Sequence, residues 1–524
     1  MSRERKPEYK ILSFSTTMRN PQRIAEFLKA LLPFENRVLT HEIIMKIVEY
    51  LIANKLYVPL FASRNYKDFL ENDEKFTQKQ TREIISNSPQ KHKEAGFERG
   101  WDSRFDTWYK LPMEFGFCFY AMNEPLLISN TGHLLIDAVN ESPSNEAKIA
   151  NVFLNCMMKY QSNNPFRRVL NANAPLILLL NVMKILKDLT GESKIHRDEI
   201  SFFLCWKDDN ARNLAQKILN FRGGANAIFR YSSEMIYNEC LEILGSNNTT
   251  RFKISQICGE GVDEYIRKMR ITGIISLRGN GRFLDFNTFE MPKIEYVLKN
   301  YTKFRAFADK KAYFEYMGQI DSRILELKES VAPQAKDSLK YEVLSRFAKT
   351  YSKEQIYKEL KNLGSKNASS ADEVFKFIPE PTRFEFLSAI ALVQNFTNLQ
   401  VLPNYTIDDE GLPRNHASGN QPDIICIDEA SESIVEVSLI CGRAQVNNEM
   451  LPISRHLKEL IKGSKQSENF AVFIAPKIFE DTRRYAEFIK FKENLEIKNL
   501  SIIDFITALK VCEKISQIQS SANV

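Results

Sequence analysis

The chain has 524 residues, of which 44% are hydrophobic and 26% charged, with a formal net charge of +6 and a pI near 8.6. That composition is globular, the length suggests about three domains of roughly 150 residues each, and the modest positive charge permits a polyanionic partner without demanding one. Eight cysteines are scattered without any CxxC pair, which argues against a zinc site and a disulfide framework and suits a reducing cytoplasm.

Met1 to Lys10 is basic but is not followed by an apolar core, so no secretory signal is read there and the expected location is cytoplasmic. Ile24, Phe27, Leu28, Leu31 and Leu32 recur at helical spacing after Asn20-Pro21, which predicts a helix opening at the proline, and a second follows over His41 to Asn54. Lys91 to Lys110 then mixes Lys91, His92, Lys93, Arg99, Arg104 and Lys110 with Phe97, Trp101, Phe105, Trp108 and Tyr109. Basic side chains meet phosphates and base edges while aromatic ones pack on sugars, so the stretch is a candidate DNA surface. The alternative is a packed loop with solvated charges, since Glu94, Glu98, Asp102 and Asp106 nearly cancel the basic side.

Two later segments resemble each other. Ile128-Ser129-Asn130-Thr131-Gly132 leads into His133 to Asp137, and Ile275 to Gly279 leads into Asn280 to Asp285. Each reads as a hairpin around a glycine turn, and the second follows a helical stretch, Val262 to Met269, giving the order of a winged helix. Arg278 and Arg282 flank the second tip, within reach of phosphates. Between the two copies, Lys159-Tyr160-Gln161 and Asn164-Pro165-Phe166-Arg167-Arg168 form another basic and aromatic patch, or a solvated loop. The run Pro175 to Leu186 is too short for a membrane span of about 20 residues and reads as a buried helix opened by its proline. Tyr301 to Leu363 is helical and highly charged, a connector that ends in the flexible signal Gly364 to Ser370.

The C-terminal module alternates helix and strand, the pattern of an α/β layer around a mixed sheet. Its elements are a helix from Pro381 to Phe396, a strand from Leu399 to Tyr405, a hairpin formed by 421–427 and 434–440, and a helix from Ala444 to Lys462 with a kink or restart at Pro452. A strand from Phe470 to Ala475, a helix from Thr482 to Phe491 and a strand from Leu500 to Ile503 complete it. If the hairpin turns between Glu429 and Ala430, Asp423 lies directly across from Glu436, at roughly 4.5 to 5.5 Å between Cβ atoms. A turn centred one residue later sets Asp423 opposite Ser438. Two facing carboxylates need a proton or a cation, and oxygen-only ligation suits Mg²⁺. Phosphodiester hydrolysis needs a metal to activate water and to neutralise charge on the phosphoryl group. Asp423, Glu436 and the Val437 carbonyl are therefore candidate metal ligands. Glu449 is a candidate water-orienting carboxylate, Glu385 an outer or second-metal ligand, and His456 follows on the same helix as Gln445 and Glu449. The plain alternative for each is a solvated or merely hydrogen-bonded polar residue.

A Pro-Asp dipeptide, then a Glu on the next strand after a Glu-bearing helix, looks like the PD-(D/E)xK nuclease core. More specifically, LSFSTTMRNPQRI, HKEAGFERGWDSRFDTWYK, and QPDIICID with IVEVSLICGRAQVNNEMLPISRHL resemble, in order along the chain, the AlwI family of type IIS restriction endonucleases. The resemblance implies a multidomain α+β protein. Winged-helix subdomains in residues 1–300 would recognise a short asymmetric double-stranded DNA site, residues 301–372 would be a helical linker, and a nuclease domain in 373–524 would cut a few bases away. It places the family's acidic cluster on Glu385, Asp423, Glu436 and Glu449, with His456 following. The lysine usual two residues after Glu436 is replaced by Ser438, so Glu449, His456 or a second metal ion would take over its role. With one cluster per chain, a monomer is expected to nick, and a homodimer or a second nuclease subunit to complete the double-strand cut. A cognate DNA methyltransferase would accompany it. The reading from another class is a winged-helix DNA-binding protein whose C-terminal domain is not catalytic, and the missing lysine is what favours it.

Overall fold

Two separate hydrophobic cores organise the chain. The computed structural model describes residues 7–14, 21–70, 74–141, 145–223, 229–302, 304–365, 368–417 and 420–521. Residues 15–20 of the first motif and 366–367 of the expected flexible signal lie outside the described residues. One compact unit comprises Met1–Phe61 with Phe76–Ser330, the other Ala62–Lys75 with Val331–Val524.

The first unit is mainly helical. Pro21–Lys29 is the helix expected after Asn20, and His41–Ala53 starts where the Thr40 hydroxyl accepts the Ile43 amide. Pro175–Thr190 opens on its proline and ends at Gly191, whose φ of 80° is the left-handed conformation a helix terminus favours. The second proposed hairpin is present: Ile275–Arg278 pairs antiparallel with Phe283–Phe286, and Gly279, Asn280 and Gly281 all take positive φ at the tip. Ile195–His196 adds a third strand on the other side of Phe283–Phe286, and the helix Gly261–Arg270 precedes the hairpin.

The first proposed hairpin is not present. Residues Asn130–Asn140 form a helix, because the Ser129 hydroxyl accepts the Gly132 amide as an N-cap while Leu135, Ile136 and Ala138 turn inward. Gly132 is there for space and not for a turn: a Cβ on it would lie 2.3 Å from the Phe117 carbonyl oxygen. The strands in this region are Cys118–Phe119 and Leu127–Ile128, which pair with each other upstream of that glycine.

The second unit holds a five-stranded mixed sheet. We label its strands β1 (Gln400–Pro403), β2 (Ile424–Ile427), β3 (Ser431–Val437), β4 (Glu468–Ala475) and β5 (Ile497–Ser501), and its main helices α1 (Glu380–Asn395), α2 (Leu451–Gly463), α3 (Glu480–Glu493) and α4 (Ile502–Val511). Spatial order is β5-β4-β3-β2-β1; β3, β4 and β5 run parallel, and β2 is antiparallel to both β1 and β3. Side chains alternate across the sheet. Ile434, Ala471, Phe473 and Ile497 share a core with Ile453 and Leu457 of α2 and Ala486 and Ile489 of α3, while α1 and α4 pack elsewhere against the strands. The helices Pro333–Thr350 and Lys353–Leu363, expected in a connector, pack on α1 within this unit. The kink expected at Pro452 takes the form of a five-residue π-helical turn, Val446–Met450, that runs into α2. Among the described residues no helix is long and apolar enough to cross a membrane, and none of the eight cysteines forms a disulfide.

Candidate active site

The hairpin of β2 and β3 sets the geometry. Its register pairs Glu432 with Ile427, Ser433 with Cys426, Ile434 with Ile425 and Val435 with Ile424, so continuing the ladder by one residue brings Asp423 across from Glu436. The turn is fixed by Asp428, whose Oδ1 accepts the amides of Ala430 at 2.9 Å and Ser431 at 2.7 Å. This is the first of the two registers considered from the sequence.

The two carboxylates hold each other through the backbone. Asp423 Oδ2 accepts the Val437 amide at 2.8 Å, and the Asp423 amide donates to Glu436 Oε2 at 3.2 Å. Of Val437, it is thus the amide that meets Asp423. Glu436 Oε1 pairs with His456 Nδ1 at 2.8 Å from α2, so the histidine adjoins the glutamate and not the solvent. Glu449, on the π-helical turn, accepts a hydrogen bond from the Ser438 hydroxyl at 2.7 Å. Ser438 therefore occupies the position of the usual lysine and spends its donor on a carboxylate. Glu385, only 3% exposed on α1, accepts the Ala417 amide at 3.1 Å.

Electrostatics tie the four acids together. Burial, then the charges of Glu385 and Glu436, push the Asp423 carboxyl well above its usual range; the Val437 amide opposes the shift and Glu449 adds to it. Burial also raises Glu449, against the pull of the Ser438 hydroxyl and with a further push from Glu436. The arrangement concentrates negative charge around the half-buried Asp423.

Among the described residues, no three His, Cys, Asp or Glu side chains converge at metal-binding distance. The donor chemistry still suits a hard divalent cation: every acidic group is an oxygen donor, and the raised Asp423 reports uncompensated negative charge.

Sequence reasoning missed two supports of this site. Gln445 is buried, donates to the carbonyls of Ile440 at 2.9 Å and Lys477 at 2.7 Å, and accepts from the Phe479 amide and the Thr482 hydroxyl, both at 3.0 Å. It fastens the loop after β3 to the start of α3, and only its spacing from Glu449 drew attention to it. Asn404 donates from its amide nitrogen to the Asp423 carbonyl at 2.9 Å and from its side chain to that of Pro422 at 2.7 Å; no local sequence signal marks it.

These acids lie in a chain whose residues 113–374 and 336–508 match the sequence profile described as AlwI restriction endonuclease. The chain belongs to the AlwI restriction endonuclease family. It is accordingly a type IIS restriction endonuclease, a site-specific, DNA-binding nuclease. Among solved structures it is similar to the small subunit, R.BspD6I2, of the heterodimeric restriction endonuclease R.BspD6I, with 21% identity over 32% of this chain and 82% of that one and a TM-score of 0.25. Restriction endonuclease FokI aligns over 98% of this chain and 97% of its own at 11% identity and a TM-score of 0.27, and FokI bound to DNA over 97% of each at 11% and 0.23. No curated protein sequence matches.

In this AlwI-family chain the candidate DNA-contacting residues fall into two groups. Lys91, Arg99, Arg168 and Arg282 are exposed, and so is Lys110, which pairs with Glu94 at 3.5 Å. The others are buried or half-buried and already bonded within the protein. Lys159, 6% exposed, donates to the carbonyls of Gln319 at 2.5 Å and Tyr316 at 3.3 Å, and burial lowers its pKa to about 8. Arg167 is bound by Glu114 at 2.8 Å and by the Ser13 carbonyl at 2.6 Å. Arg278 pairs with Asp285 at 2.7 Å, and Arg104 bonds His92 at 2.9 Å while lying over the Tyr57 and Trp108 rings. The aromatic residues beside them are core and not a DNA surface: Phe105, Trp108 and Tyr109 are buried in the helix Trp101–Glu114, and Phe97 stacks near Phe105 and Tyr120.

Proposed function

We propose that the protein is a Mg²⁺-dependent enzyme in which residues 1–300 recognise a short asymmetric DNA sequence and residues 373–524 hydrolyse a phosphodiester bond a few bases outside it. The observation that carries this is the Asp423 and Glu436 pair, interlocked through the Val437 and Asp423 amides, with the Asp423 carboxyl raised by burial and then by the charges of Glu385 and Glu436. Asp423 and Glu436 would hold the metal, with the Val437 carbonyl as a further candidate. Bound Mg²⁺ supplies an activated water and charge neutralisation at the phosphoryl group. The chain's own groups do the rest. His456 fixes the orientation of Glu436, and Glu449, loaded against Ser438, is the group able to orient water or carry a proton where the usual lysine is absent. Lys91, Arg99, Arg168 and Arg282 would track phosphates, a reading supported by their exposure.

One acidic cluster per chain makes the monomer a nicking enzyme, with a second copy or a partner nuclease subunit completing the double-strand cut, and a cognate methyltransferase protecting the host site. Plasmid DNA incubated with the full chain should give discrete fragments with Mg²⁺, passing through open circles at low enzyme, and bound but intact plasmid with chelator. Fragments of unchanged yield in chelator would sink the metal assignment. Binding without cutting under every metal tested would select the reading of a DNA-binding protein with a non-catalytic C-terminal domain.

A further inference from the structure

We propose that Lys340, on the helix Pro333–Thr350, is a positioning residue for the nuclease site: through the Pro403–Asn404 peptide it fixes the backbone of Pro422 and Asp423. The proposal rests on the metal-dependent reading above and adds to it a residue far upstream of the acids it serves.

A buried lysine needs a reason. Lys340 is 8% exposed, and burial lowers its pKa against the opposing charge of Asp337. That ion pair is loose: Nζ lies 3.4 Å from Asp337 Oδ1, and the aspartate side chain is 57% exposed. A charge taken out of water is costly, and an apolar side chain of similar length would cover the Tyr405 ring, 5.8 Å from Nζ, without that cost. What an apolar side chain cannot do is donate a hydrogen bond. Lys340 Nζ gives one to the Pro403 carbonyl at 3.1 Å.

The position of that carbonyl decides what the bond does. Pro403 ends β1, the edge strand, opposite Ile424 of β2. In the planar peptide joining Pro403 to Asn404 the C=O and the N–H point in opposite directions. The N–H donates to the Asp423 carbonyl at 2.9 Å, so the C=O turns away from β2, to the side where no further strand pairs among the described residues, and meets Lys340. One peptide group is thus bonded at both ends, by an ammonium at one and by the backbone of Asp423 at the other. Hydrogen bonds in line polarise one another, so the charge on Lys340 strengthens the grip on Asp423. The Asn404 side chain adds a bond to the Pro422 carbonyl at 2.7 Å. Both carbonyls of the Pro-Asp dipeptide are then held, and the Asp423 carboxylate is left to turn only about its own side-chain bonds. Because Lys340 bonds a backbone carbonyl, it does not replace the lysine absent at Ser438.

The helix that carries Lys340 is a firm base. Gly411, with φ of 73°, lies so near it that a Cβ would sit 2.5 Å from Val343 Cγ2 and 3.2 Å from Leu339 Cγ. The loop seated there continues through Pro413–Asn415 to Ala417, whose amide holds Glu385. Tyr405, buried beside Lys340, packs edge-on against Phe386, the neighbour of Glu385 on α1.

The test uses the full chain with Lys340→Met, with Asn404→Ala and with both, each assayed below its own thermal midpoint. Plasmid cleavage titrated with Mg²⁺ gives the half-saturating concentration. Mn²⁺ binding without DNA, followed by the paramagnetic resonance of the free ion, gives a measure independent of catalysis. Each single variant should raise the half-saturating Mg²⁺ and weaken Mn²⁺ binding by about tenfold, the lower end of what losing a group behind a metal ligand costs, with DNA affinity in chelator within about twofold. Since both residues act through one dipeptide, the double variant should shift little further than the larger single one. A Lys340→Met chain with a lower thermal midpoint but unmoved Mg²⁺ and Mn²⁺ requirements has lost only a structural contact, and overturns the proposal. A double shift near the product of the two singles overturns the shared route. Should Lys340→Met not fold, Lys340→Gln, which keeps a donor of shorter reach and no charge, takes its place under the same criteria. A wild type that cuts equally well in chelator overturns the metal-dependent reading and this proposal together, whereas a metal-dependent wild type with insensitive variants overturns this proposal alone.

Discussion

Asp423 is a residue whose surroundings work against its own charge. Its raised carboxyl pKa, from burial and then Glu385 and Glu436, means that the folded chain holds a proton there that the unfolded chain has already released. Stability of the metal-free protein should therefore fall as pH rises from about 4 through the raised value. Asp423→Asn removes that penalty. We expect it to raise the thermal midpoint at neutral pH in chelator and to abolish cleavage while DNA affinity stays within about twofold. An unchanged midpoint would show that the charge crowding is relieved some other way. Ser438 sets up a second expectation. Its hydroxyl stabilises ionised Glu449, so Ser438→Ala should push that carboxyl further up. The rising limb of the rate against pH should move to higher pH with DNA binding unaltered. Identical pH profiles for wild type and variant would remove Glu449 from the rate-determining step. At this scale the sequence singled out candidate acids and was silent about their partners. Residue type and hairpin spacing brought out Asp423 and Glu436, whereas the bonds from Ser438 to Glu449 and from Asn404 to the Asp423 carbonyl join segments whose approach no local pattern encodes.

The π-helical turn Val446–Met450 carries Glu449 into the site. Pro452, just inside α2, has no amide hydrogen and would crowd the Asn448 carbonyl in a regular helix, so the wider turn is the arrangement that admits it. Pro452→Ala lets the segment relax toward regular α-helix and should draw Glu449 away from Ser438. Cleavage should drop by about tenfold with little loss of helicity, as read by rate assays beside circular dichroism; a variant cutting at full rate would mean the turn is held by its neighbours. Periodicity located most elements of the second unit to within a few residues, because each has its own apolar face, but it gave no helix at Ile502–Val511 and ran the last strand into its start. It failed at Asn130–Asn140, where Gly132 suggested a turn but serves the close approach of Phe117. A glycine needed for space and one needed for positive φ look the same in a sequence. It failed again at Trp101–Glu114, where an aromatic and basic mixture suggested a surface but most of the aromatic rings face inward.

Across the whole molecule, the charge of +6 is unevenly available. Several cations singled out in the first unit are tied up by carbonyls or acids, and the exposed ones are the candidates for phosphate contact. Affinity measured against salt separates the two groups, since each lost phosphate contact lowers the slope of log affinity on log salt by about 1. Arg282→Ala should do so, whereas Lys159→Met should leave the slope unchanged and alter only stability. A reduced slope for Lys159→Met would mean that its buried ammonium reaches DNA after all. Family resemblance carried the general function of the chain far better than composition did, because three motifs in order constrain more than a net charge can. The Asp428 turn also makes the chain uneven in its tolerance of insertions and deletions. Two strands whose side chains alternate in direction are matched across a turn of fixed length, so one codon gained or lost between Asp428 and Ser431 slips the ladder and sends Glu436 to the opposite side of the sheet. The same event in a loop remote from the hairpin leaves that alternation intact. Length changes among such enzymes should therefore be rarer in this short turn than in loops remote from the hairpin, because a three-nucleotide slip here displaces Glu436 and turns the core residue Ile434 outward together.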